Sequence, residues 1–270
     1  MSNDQLKFPR TPHVDGPISY RGDLQLLHYE TDAILEQDLV VQEKVDGANV
    51  GIWFDEEADL ILKNRGGLIS FDDPQFNKLR NWMDIHTEEL FDLLGIERAL
   101  FGEWCFAQHS EYYDRLPSYF MAFDIFDFGA DQFLSYKRLQ RELKPTGIKH
   151  LPAIFEGKLP EPTRDELEKL IQQSSFGPNP MEGVYVRVDS NGYNESRCKL
   201  VRPGFLQQID THWKSLNFKA NHSLDYIETY WDRGYEGPRI VETTQAPEKP
   251  QEPKKEIPKP LGRPYMQPRD

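Results

Sequence analysis

The chain has 270 residues, 38% of them hydrophobic and 29% charged, with a formal net charge of −13. That length holds one large domain, or one domain with a small appendage. Two cysteines, Cys105 and Cys198, exclude a disulfide framework and read as buried thiols in a reducing, cytoplasmic setting, since no apolar signal segment follows Met1 and no run approaches the ~18 apolar residues needed to span a membrane.

Met1 to Gly22 is rich in Pro, Gly and polar residues and reads as an N-terminal arm. Val40 to Phe54 is apolar and β-branched, Asp55-Glu56-Glu57 is an acidic turn, and Ala58 to Lys63 resumes the pattern: strand, turn, strand. Pro74 to Leu94 carries apolar residues at helical spacing, with Gly95 placed to cap its end. Ala99–Phe106 and Tyr119–Phe128 are aromatic-rich strands. Ser135–Leu143 and Thr163–Gln173 are short amphipathic helices, the second opened by a Thr163/Glu166 capping box. Met181–Val188 and Arg197–Val201 are strands around an Asp-Ser-Asn-Gly turn, and Phe205 to Tyr235 reads as helical or mixed. Thr243 to Asp270 is dominated by Pro, Lys, Glu and Gln, cannot bury a core, and reads as a disordered tail. Strands and helices mix without strict alternation, which favours α+β with antiparallel sheets.

The acidic balance argues against a general polyanion binder, but the local field decides. Basic residues cluster at Lys137, Arg138, Arg141 and Lys144, and at Arg187, Arg197, Lys199 and Arg202. His13, His28, His86, His109, His150, His212 and His222 lack metal-binding spacing and read as structural or surface groups.

Chemistry concentrates in Glu43-Lys44-Val45-Asp46-Gly47-Ala48-Asn49. Alone, Asp46-Gly47 is a turn signal. It is followed in order by Arg65 in Lys-Asn-Arg-Gly-Gly, Glu103 in Phe-Gly-Glu-Trp, Phe123 in Met-Ala-Phe-Asp-Ile, Glu182 in Met-Glu-Gly-Val-Tyr-Val and Lys199 in Arg-Cys-Lys-Leu-Val. The ordered set, from about Val41 to Val201, resembles the covalent nucleotidyltransferase superfamily of DNA ligases, RNA ligases and mRNA capping enzymes. Asn49, where DNA ligases and capping enzymes usually have arginine, resembles the RNA ligases of the bacteriophage RNA ligase 2 type.

That resemblance implies an α+β nucleotidyltransferase (ligase adenylation) domain, with two antiparallel sheets and flanking helices over residues 23–204. A short helical extension would occupy 205–242 and the tail 243–270. It implies ATP as AMP donor, Mg²⁺ or Mn²⁺ as the metal, and joining of 5′-phosphate to 3′-hydroxyl RNA ends through a lysyl-AMP. Lys44 would be the nucleophile. Glu43 would contact adenine through its backbone, Arg65 and Glu103 would hold the ribose, and Phe123 would stack on the base. Lys199 would contact the α-phosphate, Asn49 would act near the phosphate and the nick, and Asp46 and Glu182 would place the metal. Arg197 stands where related ligases commonly have lysine. Residues 202–241 are too few for the five strands of an OB-fold, so the resemblance is to a catalytic domain with little else attached. RNA or nicked ends are the implied partners, with an end-healing or end-bridging protein to assist and no membrane. A compact ATP-dependent DNA ligase and a non-catalytic nucleic-acid-binding relative are the alternatives.

The lysine must be neutral to attack, and its ordinary pKa is ~10.4. Lys199, Arg197 and a metal ion are expected to depress it. Arg187, Arg197, Arg202 and Lys214 are the expected phosphate contacts for nucleic acid.

Overall fold

The computed structural model describes residues 6–16, 24–206 and 218–224, all within one unit, Met1–Gly234. The sequence-predicted tail, Thr243–Asp270, lies outside the described residues, and so does Lys214.

Two antiparallel sheets carry the fold. The smaller contains β1 (Leu39–Lys44), β8 (Ala153–Gly157), β9 (Gly183–Ser190) and β10 (Tyr193–Val201), in the order β10-β9-β1-β8. The larger contains β2 (Ala48–Phe54), β3 (Leu60–Asn64), β4 (Gly67–Leu68), β5 (Arg98–Trp104), β6 (Phe120–Asp127) and β7 (Gln132–Phe133), in the order β4-β3-β2-β5-β6-β7. The helices are α1 (His28–Leu35), α2 (Leu79–Leu94), α3 (Tyr136–Leu143), α4 (Arg164–Glu168) and the single turn α5 (Pro203–Leu206).

The apolar run from Val40 to Phe54, expected as one strand, is two strands in different sheets. The break at Val45-Asp46-Gly47 has a physical cause. Asp46 N–H donates to the Tyr113 hydroxyl at 2.8 Å, and the Asp46 carboxylate accepts from the Ser110 and Glu111 amides at 2.7 and 3.0 Å. These bonds take the place of ladder bonds. Gly47 then passes so close to β5 that a Cβ there would lie 2.6 Å from the Trp104 carbonyl oxygen.

α2 buries Leu79, Trp82, Met83, His86, Leu90 and Leu94 on one stripe, in the core that lies on the larger sheet. It starts at Leu79 rather than Pro74, because residues before it are tied in turns: Gln75 N–H donates to Asp73, and the Gln75 carbonyl accepts from Trp104 Nε1 at 2.6 Å. It ends on Gly95 (φ 49°), as expected. α3 starts on Ser135, whose hydroxyl accepts from the Arg138 amide.

The predicted helix over Thr163–Gln173 stops at Glu168. Thr163 Oγ1 accepts from the Glu166 amide at 3.3 Å, but the Glu166 carboxylate turns to Lys169. Beyond it, Gln172 and Gln173 bond to residues 177–181 instead of continuing the helix. The β9–β10 hairpin turns at Asn191 (φ 51°) and Gly192 (φ 84°), the left-handed pair that an Asn-Gly turn supplies.

The N-terminal arm is ordered over 6–16: Lys199 N–H donates to the Pro12 carbonyl and Val14 N–H to the Lys199 carbonyl, at 2.9 and 3.0 Å. Residues 218–224, expected to be helical, are extended along the 106–116 loop and anchored by buried Asn221. The remainder of that stretch, 207–217 and 225–235, lies outside the described residues. Both cysteines are buried and free. No helix among the described residues is long and apolar enough to cross a membrane.

Candidate active site

Because β1 and β2 leave the 45–47 crossing into different sheets, the side chains at the crossing face a groove between the sheets. The smaller sheet contributes Gln42, Lys44, Tyr185 and Lys199; the larger contributes Asn49, Glu103 and Phe123; Arg65 comes from the β3–β4 turn. Asn49 and Glu103 are directly opposed across β2 and β5. The groove spans about 600 Å³ of space between the sheets, part of it open to solvent. A second cleft meets it at Lys44, Asn49, Arg65 and Glu103 and continues past Asp46, Gln75 and His109.

Lys44 is the junction of both. Its Nζ donates to Glu182 Oε2 at 2.6 Å. Burial alone would lower its pKa, but the Glu182, Glu103 and Asp46 carboxylates outweigh burial and leave it raised. Burial pushes the carboxyls of Glu103 and Glu182 up to about 7, against the pull of Lys44 on both and of Arg65 on Glu103. Among the protein's own groups, the charges that act most on the lysine are carboxylates, not Lys199 or Arg197.

Several candidate side chains are held by partners within the fold; for Glu43 this leaves the expected backbone contact open. The Glu43 side chain leaves β1 on the face opposite Lys44 and is buried, bonded to the Ser174 hydroxyl and, at 3.0 Å, to the Ser175 amide. Arg197 does not line the groove. Its guanidinium bonds to Asp124 at 2.9 Å and lies 4.0 Å from the Phe133 ring centroid. Arg187, proposed for phosphate contact, is fully buried: it donates to Asp124 Oδ1 at 2.6 Å and to the Leu134 and Phe123 carbonyls. Arg202 is paired with buried Glu111 and with the Met181 carbonyl. The three arginines expected as phosphate contacts are thus paired within the fold, and the fourth expected contact, Lys214, lies outside the described residues.

Asp46 spends one oxygen on the 110–111 backbone, while its other oxygen lies 3.9 Å from His109 Nδ1. Among the described residues no group of three or more His, Cys, Asp or Glu side chains is assembled to hold a metal ion. The groove's donors are carboxylate oxygens, a set that suits a hard divalent ion sharing its coordination with phosphate and water.

Sequence reasoning missed Phe8 and Thr11 of the arm, Gln42 and Tyr185 on the groove wall, and His109 in the second cleft. Gln42 had a signal, its i, i+2 relation to Lys44 on one strand. The arm residues had none, since only tertiary contacts bring them in.

A partly buried lysine sits where the two antiparallel sheets meet over the groove, in a fold similar to that of solved RNA ligases. A family model described as RNA ligase matches residues 37–201, more than half of the chain, and the chain belongs to the RNA ligase family. Comparison with curated proteins found no match. Among solved structures, Naegleria gruberi RNA ligase with PPi is similar at 20% identity and TM-score 0.53, over 67% of this chain and 54% of that one. A mutant of that ligase with ATP and Mn is similar at 19% identity and TM-score 0.52, over 68% and 55%. These likenesses concern the fold, and the chain spans about half the length of the solved ligase it matches.

Proposed function

We propose that this chain performs ATP-dependent RNA ligation, with Lys44 as the residue that becomes adenylylated. The observation that carries the reading is the placement of Lys44, in contact with a carboxyl held near neutrality, at the junction of a groove between the sheets and an open cleft.

The groove suits a nucleoside. Phe123 offers a ring for stacking, worth ~1–3 kcal/mol for a base, and Glu103 and Arg65, which line the same groove, would bond the ribose hydroxyls. Lys199 and Asn49 line the same groove as Lys44 and would meet the α-phosphate. Lys44 rests as an ammonium, so its proton must leave first, and Glu182 is the acceptor in contact. The freed Nζ lone pair forms a bond to the α-phosphorus as the bond to pyrophosphate breaks and its electrons leave with pyrophosphate. Lys199 stabilises the charge that builds on the phosphate. Transfer of AMP to a 5′-phosphate and attack by a 3′-hydroxyl would follow at the open cleft.

A hard divalent ion, Mg²⁺ or Mn²⁺, fits the carboxylate of Asp46 together with phosphate oxygens and water, while Glu182, bonded to Lys44, is left to the proton. When bound, it would supply neutralisation of phosphate charge.

Incubation with α-labelled ATP and Mg²⁺, followed by denaturing electrophoresis, tests the reading: a labelled chain is expected, and its absence would sink it. Comparing strands with ribose or deoxyribose at the 3′-hydroxyl then tests the RNA assignment.

A further inference from the structure

His109 lies on the loop that follows β5, at the far end of the open cleft from Lys44. The backbone on either side of it is pinned. The Gln108 amide donates to the Lys219 carbonyl at 2.9 Å, and the Ser110 amide donates to the Asp46 carboxylate at 2.7 Å. The ring is pinned too, with Nε2 2.8 Å from Gln75 Oε1. Gln75 is itself buried, and its backbone carbonyl accepts from Trp104 Nε1 at 2.6 Å. An amide oxygen can only accept, so Nε2 carries a proton, and in the neutral ring Nδ1 presents a lone pair. Nδ1 is turned toward Asp46 Oδ1 but lies 3.9 Å from it, beyond hydrogen-bond reach.

The cleft's other acceptors are committed. Asn64 Oδ1 takes the Gly66 and Gly67 amides. One Asp46 oxygen takes the Ser110 and Glu111 amides, and the other is the one proposed above for the divalent ion. With AMP in the groove, a 3′-hydroxyl end comes to Lys44 through the open cleft, which His109 lines. Resting on the reading of Lys44 as the adenylylated residue, we infer that His109 selects ribose at that end: its Nδ1 accepts from the 2′-hydroxyl of the terminal nucleotide of the attacking strand. A deoxyribose end brings no such donor. Because the 2′- and 3′-hydroxyls are on adjacent carbons, holding one also orients the other for attack. Gln75 is the positioning residue, which fixes the ring and its tautomer.

The test uses the full chain and nicked duplexes with a pre-adenylylated 5′ end, so that sealing does not wait on Lys44. The 3′-hydroxyl strand ends in a single ribose or a single 2′-deoxyribose. Sealing rate and equilibrium binding are both measured. The wild type should favour the ribose end by about 3- to 10-fold, the value of one hydrogen bond. His109→Leu should bring the ratio toward one. His109→Asn, which sets an amide oxygen near the place of Nδ1, should keep most of it. A histidine that only braces the loop would slow both ends alike, so an unchanged ratio in His109→Leu would overturn the inference. So would a wild-type chain that treats the two ends alike, a comparison that needs no variant. Ribose-selective binding that His109→Leu abolishes, in a chain that forms no adduct with ATP, would instead sink the role of Lys44 and leave the ribose reader standing.

Discussion

The Lys44 ammonium and the Glu182 carboxyl, 138 residues apart in sequence, lie 2.6 Å apart in the fold. The contact bridges the end of β1 and the entry to β9, the neighbouring strand whose Gly183 pairs with Lys44. Glu182 is 6% exposed at its side chain and Lys44 26%, so the pair is screened by salt less than a surface pair but remains partly open to solvent. On the proposed reading of Lys44, this contact keeps the lysine an ammonium at rest and Glu182 would be the base that releases it.

Glu182→Gln keeps the shape of the side chain and removes the base. Wild-type adduct formation should rise with pH through about 7 as Glu182 ionises. In the variant, the rate at pH 7 should fall by about 10²–10⁴-fold, the usual contribution of a positioned base. The inflection near 7 should vanish, with recovery at alkaline pH, where Lys44 loses its proton to water. Rate–pH profiles from pH 5.5 to 10 measure this, and an unshifted wild-type profile in the variant would exclude Glu182 as the base.

Lys44→Arg separates charge from nucleophilicity. A guanidinium can still face Glu182, Glu103 and Asp46, but it does not lose its proton. The variant should melt near the wild type, within about 1 kcal/mol for a retained pair, and form no adduct. Labelled protein in this variant would place the nucleophile elsewhere.

Positions of single residues in ordered motifs were legible in the sequence, because Lys44, Asn49, Arg65, Glu103, Phe123 and Lys199 sit on or beside short apolar strands whose alternation aims them at one groove. Burial of charge was not legible. Arg187 stands between Val186 and Val188, and nothing local reveals that Asp124 waits across the sheets to neutralise it. The strand break at 45–47 was hidden for a related reason: it is made by Tyr113 and the 110–111 amides, far along the chain. α1 was missed because it is short, and its first turn is closed by Glu30 accepting from the Leu27 amide at 2.8 Å, with no Ser, Thr, Asp or Asn at the cap position.

Stability should depend on pH through Glu103. Burial raises its carboxyl from 4.5 to about 7. Between those values the folded chain keeps a proton that the unfolded chain has released, so stability falls as pH rises through the window. Glu182 acts in the same direction. Lys44, raised from 10.5, contributes stability that is in place below that value and is lost only at higher pH. A tenfold difference in proton affinity between the folded and unfolded chain is worth about 1.4 kcal/mol, so the combined loss across the window is on the order of a few kcal/mol. Thermal melts at pH 5 and 7.5 should show the wild type losing stability at the higher pH and Glu103→Gln losing less. Equal losses would mean that Glu103 is ionised at pH 5.

Arg187→Met should destabilise the fold by about 3–5 kcal/mol, the cost of removing one partner from a buried ion pair. Asp124 would be left facing only Arg197, and the Leu134 and Phe123 carbonyls would lose their donor. Denaturant unfolding measures the loss. RNA binding by the folded fraction should keep the wild-type salt dependence, since a buried arginine touches no phosphate. A shallower slope of log affinity against log salt would return Arg187 to the substrate surface.

Phe8 links the arm to the groove. Its ring packs edge-on against Phe123 at 5.0 Å between centroids and meets Phe101 and Phe133 at 5.3 Å each. The Arg197 guanidinium lies 5.2 Å from its centroid. Phe123 is thereby held from behind, and the arm that carries Phe8 is fixed to Lys199 through the Pro12 and Val14 backbone bonds. Phe8→Ala empties the space beside Phe123 and leaves Lys44 and Glu182 untouched. The variant should therefore show weaker nucleotide binding, with KM for ATP in adduct formation raised by about 10-fold and kcat within about twofold, the pattern of lost uniform binding. Phe8→Leu should recover most of the loss, because it refills the space. A fall in kcat at unchanged KM would instead mean that the arm acts on the reacting lysine and not on the wall that holds the base.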